Sequence, residues 1–389
     1  MLMFNMFIAM VGVGLIIPIM PKFLSGFGVA GQALGFIIAT FSLSQFLFSP
    51  IAGRLSDQKG RKRIILIGLF IYGVSQLTFS LSTELWMLYV SRFLTGFGSA
   101  FMIPPMMAFV ADLTSVEERG KGMGLLGASM SLGFMIGPAI GGFLASISLH
   151  FPMYVAAGAS FVALFLSILF LPYIEPTAAQ IEQAKQKSSL WQQLKQSTKE
   201  PYFMMLIVMF VFSFGLANFQ ATLSMFMNYK FGFGPQDIAI LLTVGGFIGV
   251  IIQSLFIHPL FKRFGEMRIV LFNLLMASIS MIGILFVHVF WTLLFVSTIF
   301  SIATTLLRPA VNTLISKMAG EAKQGFAAGM MNAYMSLGNM VGPALAGTLF
   351  DWNMSYPYMF GALILLLAFA LTYSWGKKNE TLVRSTRTY

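Results

Sequence analysis

The chain has 389 residues, 57% hydrophobic, 15% aromatic and only 10% charged, with a formal net charge of +11 and no cysteine. Apolar runs of this density exclude a water-soluble globular domain, and the missing thiols exclude a disulfide framework or a thiolate metal site. A polytopic, all-α membrane protein remains, because a bilayer offers unpaired backbone polar groups no partner.

Twelve apolar spans are expected, beginning near residues 4, 33, 64, 85, 122, 152, 203, 237, 269, 290, 325 and 357. The first is too long for a signal-peptide core, lacks a basic leader and shows no small-residue cleavage site, so it reads as a membrane helix. Lysine and arginine concentrate on alternate loops: 20 of the 24 lie within 54–63, 112–121, 174–201, 260–268, 316–325 and the tail from 377. Short cytoplasmic loops carry such an excess, so both termini are expected to be cytoplasmic. The positive charge is then topological, and nucleic-acid binding is not needed to explain it.

Span 2 runs into GRLSDQKGRKR, residues 53–63. Gly53 and Gly60 suit a tight turn, Asp57 suits the positive end of a neighbouring helix, and the basic cluster around Arg61 suits anionic headgroups. In span 4, LYVSRFLTGFGSA places Arg92 about two turns inside the bilayer. An arginine there costs roughly 2.5–3.5 kcal/mol on insertion scales, so it should face a wet or paired interior or serve as polar glue between helices. Span 5 contains SLGFMIGPAIGGFL, residues 131–144, where Gly133, Gly137 and Gly141 line one helix face and Pro138 and Gly142 follow the same seam. Absent side chains let a second helix approach, and the proline frees a carbonyl and bends the helix.

Residues 174–201 form the long polar segment that divides six spans from six. Leu190, Trp191 and Leu194 within it suggest a short amphipathic helix at the membrane face. The expected organisation is therefore 1–173, a six-helix bundle; 174–201, a cytoplasmic linker; 202–376, a second bundle; and 377–389, a cytoplasmic tail. The halves align at an offset of 205: residues 120–144 and 325–349 share 13 identities in 25, and Pro104, Leu55, Gly60 and Arg63 fall on Pro309, Leu260, Gly265 and Arg268. Parallel six-helix halves with a site between them near the midplane describe a transporter that alternates access. The second glycine stretch, SLGNMVGPALAGTL, keeps Gly338, Gly342, Pro343 and Gly347 but has Asn339 for Phe134 and Ala346 for Gly141, so the two seams should not be equivalent. Lys262 stands where Asp57 stands in the first half, so an acid-based gate latch is expected only there.

Three of these stretches together resemble the major facilitator superfamily: the loop motif at 53–63, the span-4 arginine with Gly96 and Gly98, and GFMIGPAIGG, which is similar to the antiporter signature of its drug exporters. Further phrases, GLIIPIMP, SFGLANFQ, FGFGPQDIAI, LRPAVNTLISKMAGE and QGFAAGM, extend the resemblance over nearly the whole chain to the Gram-positive multidrug proton antiporters, which expel fluoroquinolones and dyes. The resemblance implies secondary efflux of hydrophobic or amphiphilic drugs across the cell membrane, protons as the coupling ion, no other cofactor, and a proton-coupling role for Arg92. The 28 methionines and 41 phenylalanines supply soft surface of the kind promiscuous sites use.

This chain departs from that group at two places. A glutamate and an aspartate of the relatives are replaced by Gln220 and Thr305. Every carboxylate, including Glu117, Glu182, Glu321 and Glu380, falls in a loop or at a helix end. Proton coupling would then run through Asp57 or Asp112 with Arg92, and an electropositive cavity would favour anionic, zwitterionic or neutral amphiphiles over lipophilic monocations. Expected cavity groups are Arg308, Asn218, Gln220 and Asn312 from spans 7 and 10, and Asn5, Phe41, Gln45 and Phe134 from spans 1, 2 and 5. Asn5 also suits a helix cap, and the two phenylalanines also suit bundle core. Expected gating groups are Gly53, Asp57, Gly60, Arg61, Gly133, Gly137, Pro138, Gly141, Gly142, Gly342 and Pro343. His150, His258 and His288 sit near helix ends without metal-binding spacing. Buried Asp, Glu or His clusters of a membrane enzyme are not found. The competing readings are an exporter of one metabolite or lipid-like solute and a non-transporting receptor. A monomer in the lipid bilayer is expected.

Overall fold

The computed structural model describes residues 1–115, 118–176, 190–319 and 324–379; Glu117, Glu182, Glu321, Glu380, the middle of the linker and most of the tail lie outside them. Within them the chain is helical throughout: α1 (Leu2–Ile16), α2 (Met20–Ser25), α3 (Gly31–Lys59), α4 (Arg61–Ser80), α5 (Leu85–Leu113), α6 (Arg119–Leu144), α7 (Phe151–Phe170), α8 (Leu190–Ser197), α9 (Phe203–Phe231), α10 (Pro235–Phe264), α11 (Glu266–Leu285), α12 (Phe290–Ala319), α13 (Gln324–Trp352) and α14 (Tyr356–Lys378). Among the described residues nine helices are long and apolar enough to cross a bilayer, with shorter apolar stretches at Leu2–Ile16 and Pro235–Gly249. With α1, α10 and the glycine-rich α13 counted, and the short α2 and α8 set aside, the twelve spans read from hydropathy are all helices.

Prolines do not break these helices. Pro50, Pro104, Pro105, Pro138, Pro259, Pro309 and Pro343 all lie inside them. In lipid a helix has no cheaper alternative, and neighbouring helices compensate the freed carbonyls. Among the described residues positive φ is confined to glycine: Gly28, Gly60, Gly232 and Gly265. Gly60 (φ 93°) is the whole turn between α3 and α4. Gly53 lies inside α3 with open space where a side chain would sit, so its expected part in that turn is corrected: one left-handed residue reverses the chain.

The chain packs as two compact units, residues 1–188 with 227–243, and residues 189–226 with 244–389. This division departs from a cut at the linker. The end of α9, the turn after it and the start of α10 belong with the first unit, because Gly142 of α6 receives the Pro235 carbonyl and the Ala239 methyl directly against its Cα, space that any side chain would fill. The core of the first unit gathers Met6, Ile65, Leu69, Tyr72, Met102, Met106 and Phe109 from α1, α4 and α5. In the second unit an aromatic cluster stacks Phe219 on Phe300, centroids 3.9 Å apart, with Tyr358 edge-on to Phe226 at 5.2 Å.

Candidate functional site

The glycine seams can be described side chain by side chain. A methyl on Gly133 would lie 2.5 Å from the Phe7 carbonyl oxygen, one on Gly137 would lie 2.8 Å from that of Val11, and one on Gly141 would overlap that of Leu15. Positions 133, 137 and 141 of α6 thus meet positions 7, 11 and 15 of α1, one contact per turn. Gly14 answers from α1, lying against Pro138 and Gly137. In the second unit Gly338 and Gly342 of α13 meet the carbonyls of Phe210 and Phe214 of α9 in the same way. Ala346, fully buried, ends that run where the first seam has Gly141.

The charged corner of the first unit is built on Arg61, the first residue of α4. Its guanidinium donates to Asp57 at the end of α3, to Asp112 Oδ2 near the end of α5 at 2.9 Å, and to the Ser56 hydroxyl at 2.7 Å. The exit from α7 folds over this corner: Lys62 Nζ donates to the carbonyls of Ile168 and Leu171, and Arg63 stacks on the Tyr173 ring at 5.1 Å. The three charges picked from sequence, Asp57, Arg61 and Asp112, are therefore one network. The second unit also holds an ion pair, Lys317 Nζ to Glu266 Oε1 at 2.9 Å. Position 262, the counterpart of Asp57, is a lysine, so this pair is made by the counterparts of Arg61 and Asp112 without an acid at the Asp57 position.

Arg92 is 5% exposed and lies inside the first unit, its guanidinium 4.9 Å above the Phe79 ring. Close to it is the fully buried Tyr72, whose hydroxyl donates to the Ala9 carbonyl at 2.7 Å, and beside Tyr72 lies the fully buried Gln76. Arg92 Nε and Nη2 have no hydrogen-bond partner among the described residues. Sequence reasoning missed Tyr72 and Gln76, since single polar residues in an apolar span carry no pattern.

The polar candidates separate into two kinds. Asn5 is fully buried and bonds the Ser167 hydroxyl of α7 at 2.8 Å, and Asn218 is fully buried and donates to the Pro357 carbonyl at 3.1 Å. Each clamps two helices of one unit. For Asn5 this replaces the cap reading, since α1 already begins at Leu2. Gln220, Arg308 and Asn312 are half-buried, as are Phe41, Gln45 and Phe134. Phe134 packs against the first core, and the Phe41 carbonyl lies against Gly96, so both phenylalanines contribute to packing. Thr305, one turn before Arg308 on α12, sits over Gly249 of α10; a methyl there would lie 2.7 Å from its hydroxyl. Every described carboxylate lies at a helix end or in a connection, and no ion pair of Arg308 is formed among the described residues. His150 bonds the Ser80 carbonyl through Nδ1 at 2.7 Å, a structural contact. No group of three or more metal-binding side chains occurs among the described residues.

Comparison with known proteins agrees with this geometry. The Major Facilitator Superfamily profile matches residues 2–290 and 205–387. Multidrug resistance protein 2 of Bacillus subtilis is 39% identical over 382 residues, covering 97% of this chain and 95% of the relative. Quinolone resistance protein NorA of Staphylococcus aureus is 33% identical over 361 residues, covering 92% and 90%. Among solved structures, a bacterial homolog of the human lysosomal transporter Spinster superposes with a TM-score of 0.79 at 13% identity, covering 98% of this chain and 97% of the other. The human organic anion transporter MFSD10 gives 0.71 at 22%, covering 95% and 97%. With the family matched along almost its whole length and its helical fold reproduced, the chain belongs to the major facilitator superfamily and is a multi-pass membrane transporter, not an enzyme.

Proposed function

We propose that the protein exports hydrophobic and amphiphilic drugs by alternating access of its two halves, in exchange for protons. The observation that carries this reading is near full-length identity of 39% to a multidrug resistance protein, joined by 33% to a quinolone resistance protein. Its substrates are anionic, zwitterionic or neutral amphiphiles. Arg308 on α12, with the neutral Asn312 one turn further along the same helix, the neutral Gln220 on α9 and no described carboxylate within the spans, supports that preference. A half-buried cation without an acid beside it attracts a carboxylate and repels a lipophilic cation.

Protons enter through the helix-end acids. Asp57 and Asp112 both hold Arg61, and protonating either weakens that corner. Arg92, buried and charged in the same unit, keeps a second proton from resting nearby. The chain acts as a monomer with both termini at the cytoplasmic face.

The test is a susceptibility panel in cells overexpressing the protein, repeated with Arg308→Ala. Resistance to carboxylated fluoroquinolones should fall while resistance to neutral dyes persists; ethidium-type cations proving the best substrates would overturn the charge preference. Undiminished export after collapse of an imposed pH gradient would sink proton antiport.

A further inference from the structure

The charged corner of the first unit has a copy in the second with every sign inverted. Displaced by 205 positions, Asp57, Arg61 and Asp112 fall on Lys262, Glu266 and Lys317. The frame is conserved: a positive-φ glycine, Gly60 or Gly265, directly precedes the helix that begins with Arg61 or Glu266. The ion pair then joins that residue to one near the end of the next helix, 51 positions on and 2.9 Å away in both units. The two pairs are shielded to a similar degree, with side-chain exposures of 11% and 24% in the first and 10% and 22% in the second.

Sign matters here because the partners sit at helix ends. Helix N-termini carry positive and C-termini negative partial charge. Glu266 at the start of α11 and Lys317 in the last turn of α12 are each favoured by the helix that bears them. Arg61 at the start of α4 and Asp112 at the end of α5 are each disfavoured, and Arg61 draws on Asp57 and Ser56 in addition. One corner is therefore poised to open and the other to stay shut.

We infer that Glu266 and Lys317 are positioning residues for transport: they form a staple that stays closed through the cycle and holds α12, and with it Arg308 and Asn312, in register against α11. This rests on the reading that α12 carries substrate contacts. Removing either charge takes a 2.9 Å counter-charge from a shielded group, whereas exchanging the two restores the pair with the unfavourable polarity of the first unit.

The cysteine-free sequence permits a direct test. Glu266→Lys and Lys317→Glu singly should each slow the initial efflux of both a neutral dye and a carboxylated fluoroquinolone about tenfold at equal membrane abundance, a loss of about 1.4 kcal/mol. The double exchange should recover to within about threefold of the parent. In a third variant, Glu266→Cys with Lys317→Cys, bridging the thiols with a short bifunctional methanethiosulfonate should raise efflux, and reduction should reverse the gain. That variant buries no unpaired charge, so it decides the matter even where the single variants fail to insert. The inference is overturned if bridging stops or does not change efflux, if the double exchange is no faster than the singles, or if the singles export normally. An Arg308→Ala variant that slows both substrates alike would instead sink the carboxylate reading and leave the staple standing.

Discussion

The two glycine seams show how a duplicated unit diverges without losing its packing. On the α1–α6 seam three successive turns place a glycine against a backbone carbonyl, and Gly14 and Pro138 interlock from the two sides. On the α9–α13 seam two turns do so and Ala346 closes the third. Small residues let transmembrane helices gain dispersion contacts that larger ones forbid. A run of three backbone contacts leaves no slack, since a carbonyl cannot rotate away as a side chain can. A run that ends in alanine packs a methyl at its third turn instead of bare backbone. The first seam thus has one more glycine-to-carbonyl contact than the second.

Breaking that contrast should have its largest effect at Gly141. Gly141→Leu, like a bulky residue at Gly137 or Pro138, should reduce export to the level of vector-only cells while immunodetection still finds the protein in membranes. Ala346→Leu should cost about 1–3 kcal/mol of overpacking and leave measurable export. Equal export by the two variants would show that the seams are equivalent after all.

Next in size is the Asn5 clamp. Ser167→Ala leaves a fully buried amide short of a partner and should cost about 1–3 kcal/mol, read as a lower midpoint of thermal unfolding in detergent. The turn glycines should be more evenly matched. Gly60→Ala and Gly265→Ala each force a side chain into the left-handed region, at about 1–2 kcal/mol, with Gly60 the worse because Tyr173 lies 3.3 Å from the added methyl. The smallest change is Ala346→Gly, about 1 kcal/mol or less from helix propensity alone, and it should leave efflux rates within error of the parent.

Much of this molecule was legible before any coordinates. Hydropathy marked the spans because a bilayer core of fixed thickness demands long apolar helices. The offset of 205 exposed the duplication, and the glycine spacing of four announced a face for close approach. The candidate site was less legible. Asn5 and Asn218 were read as cavity groups, and the bonds from their amide nitrogens to α7 and α14 could not be read from spacing. Gly53 looked like part of a turn that Gly60 makes by itself. Glu266 and Lys317 were passed over because a motif search compares residue types, and an ion pair with its sign reversed preserves the interaction while changing both types.

The residues alone thus determined the solvent, the class of fold, the repeat and the absence of acids from the spans. These are local or periodic properties, set by transfer free energy and by the 3.6-residue turn of the helix. Tertiary structure decided which helix each glycine admits, which helices Asn5 and Asn218 tie together, and that the second half has its own charged corner. Those depend on contacts between residues 51, 139 or 162 positions apart, where specificity comes from packed geometry that no sequence spacing encodes.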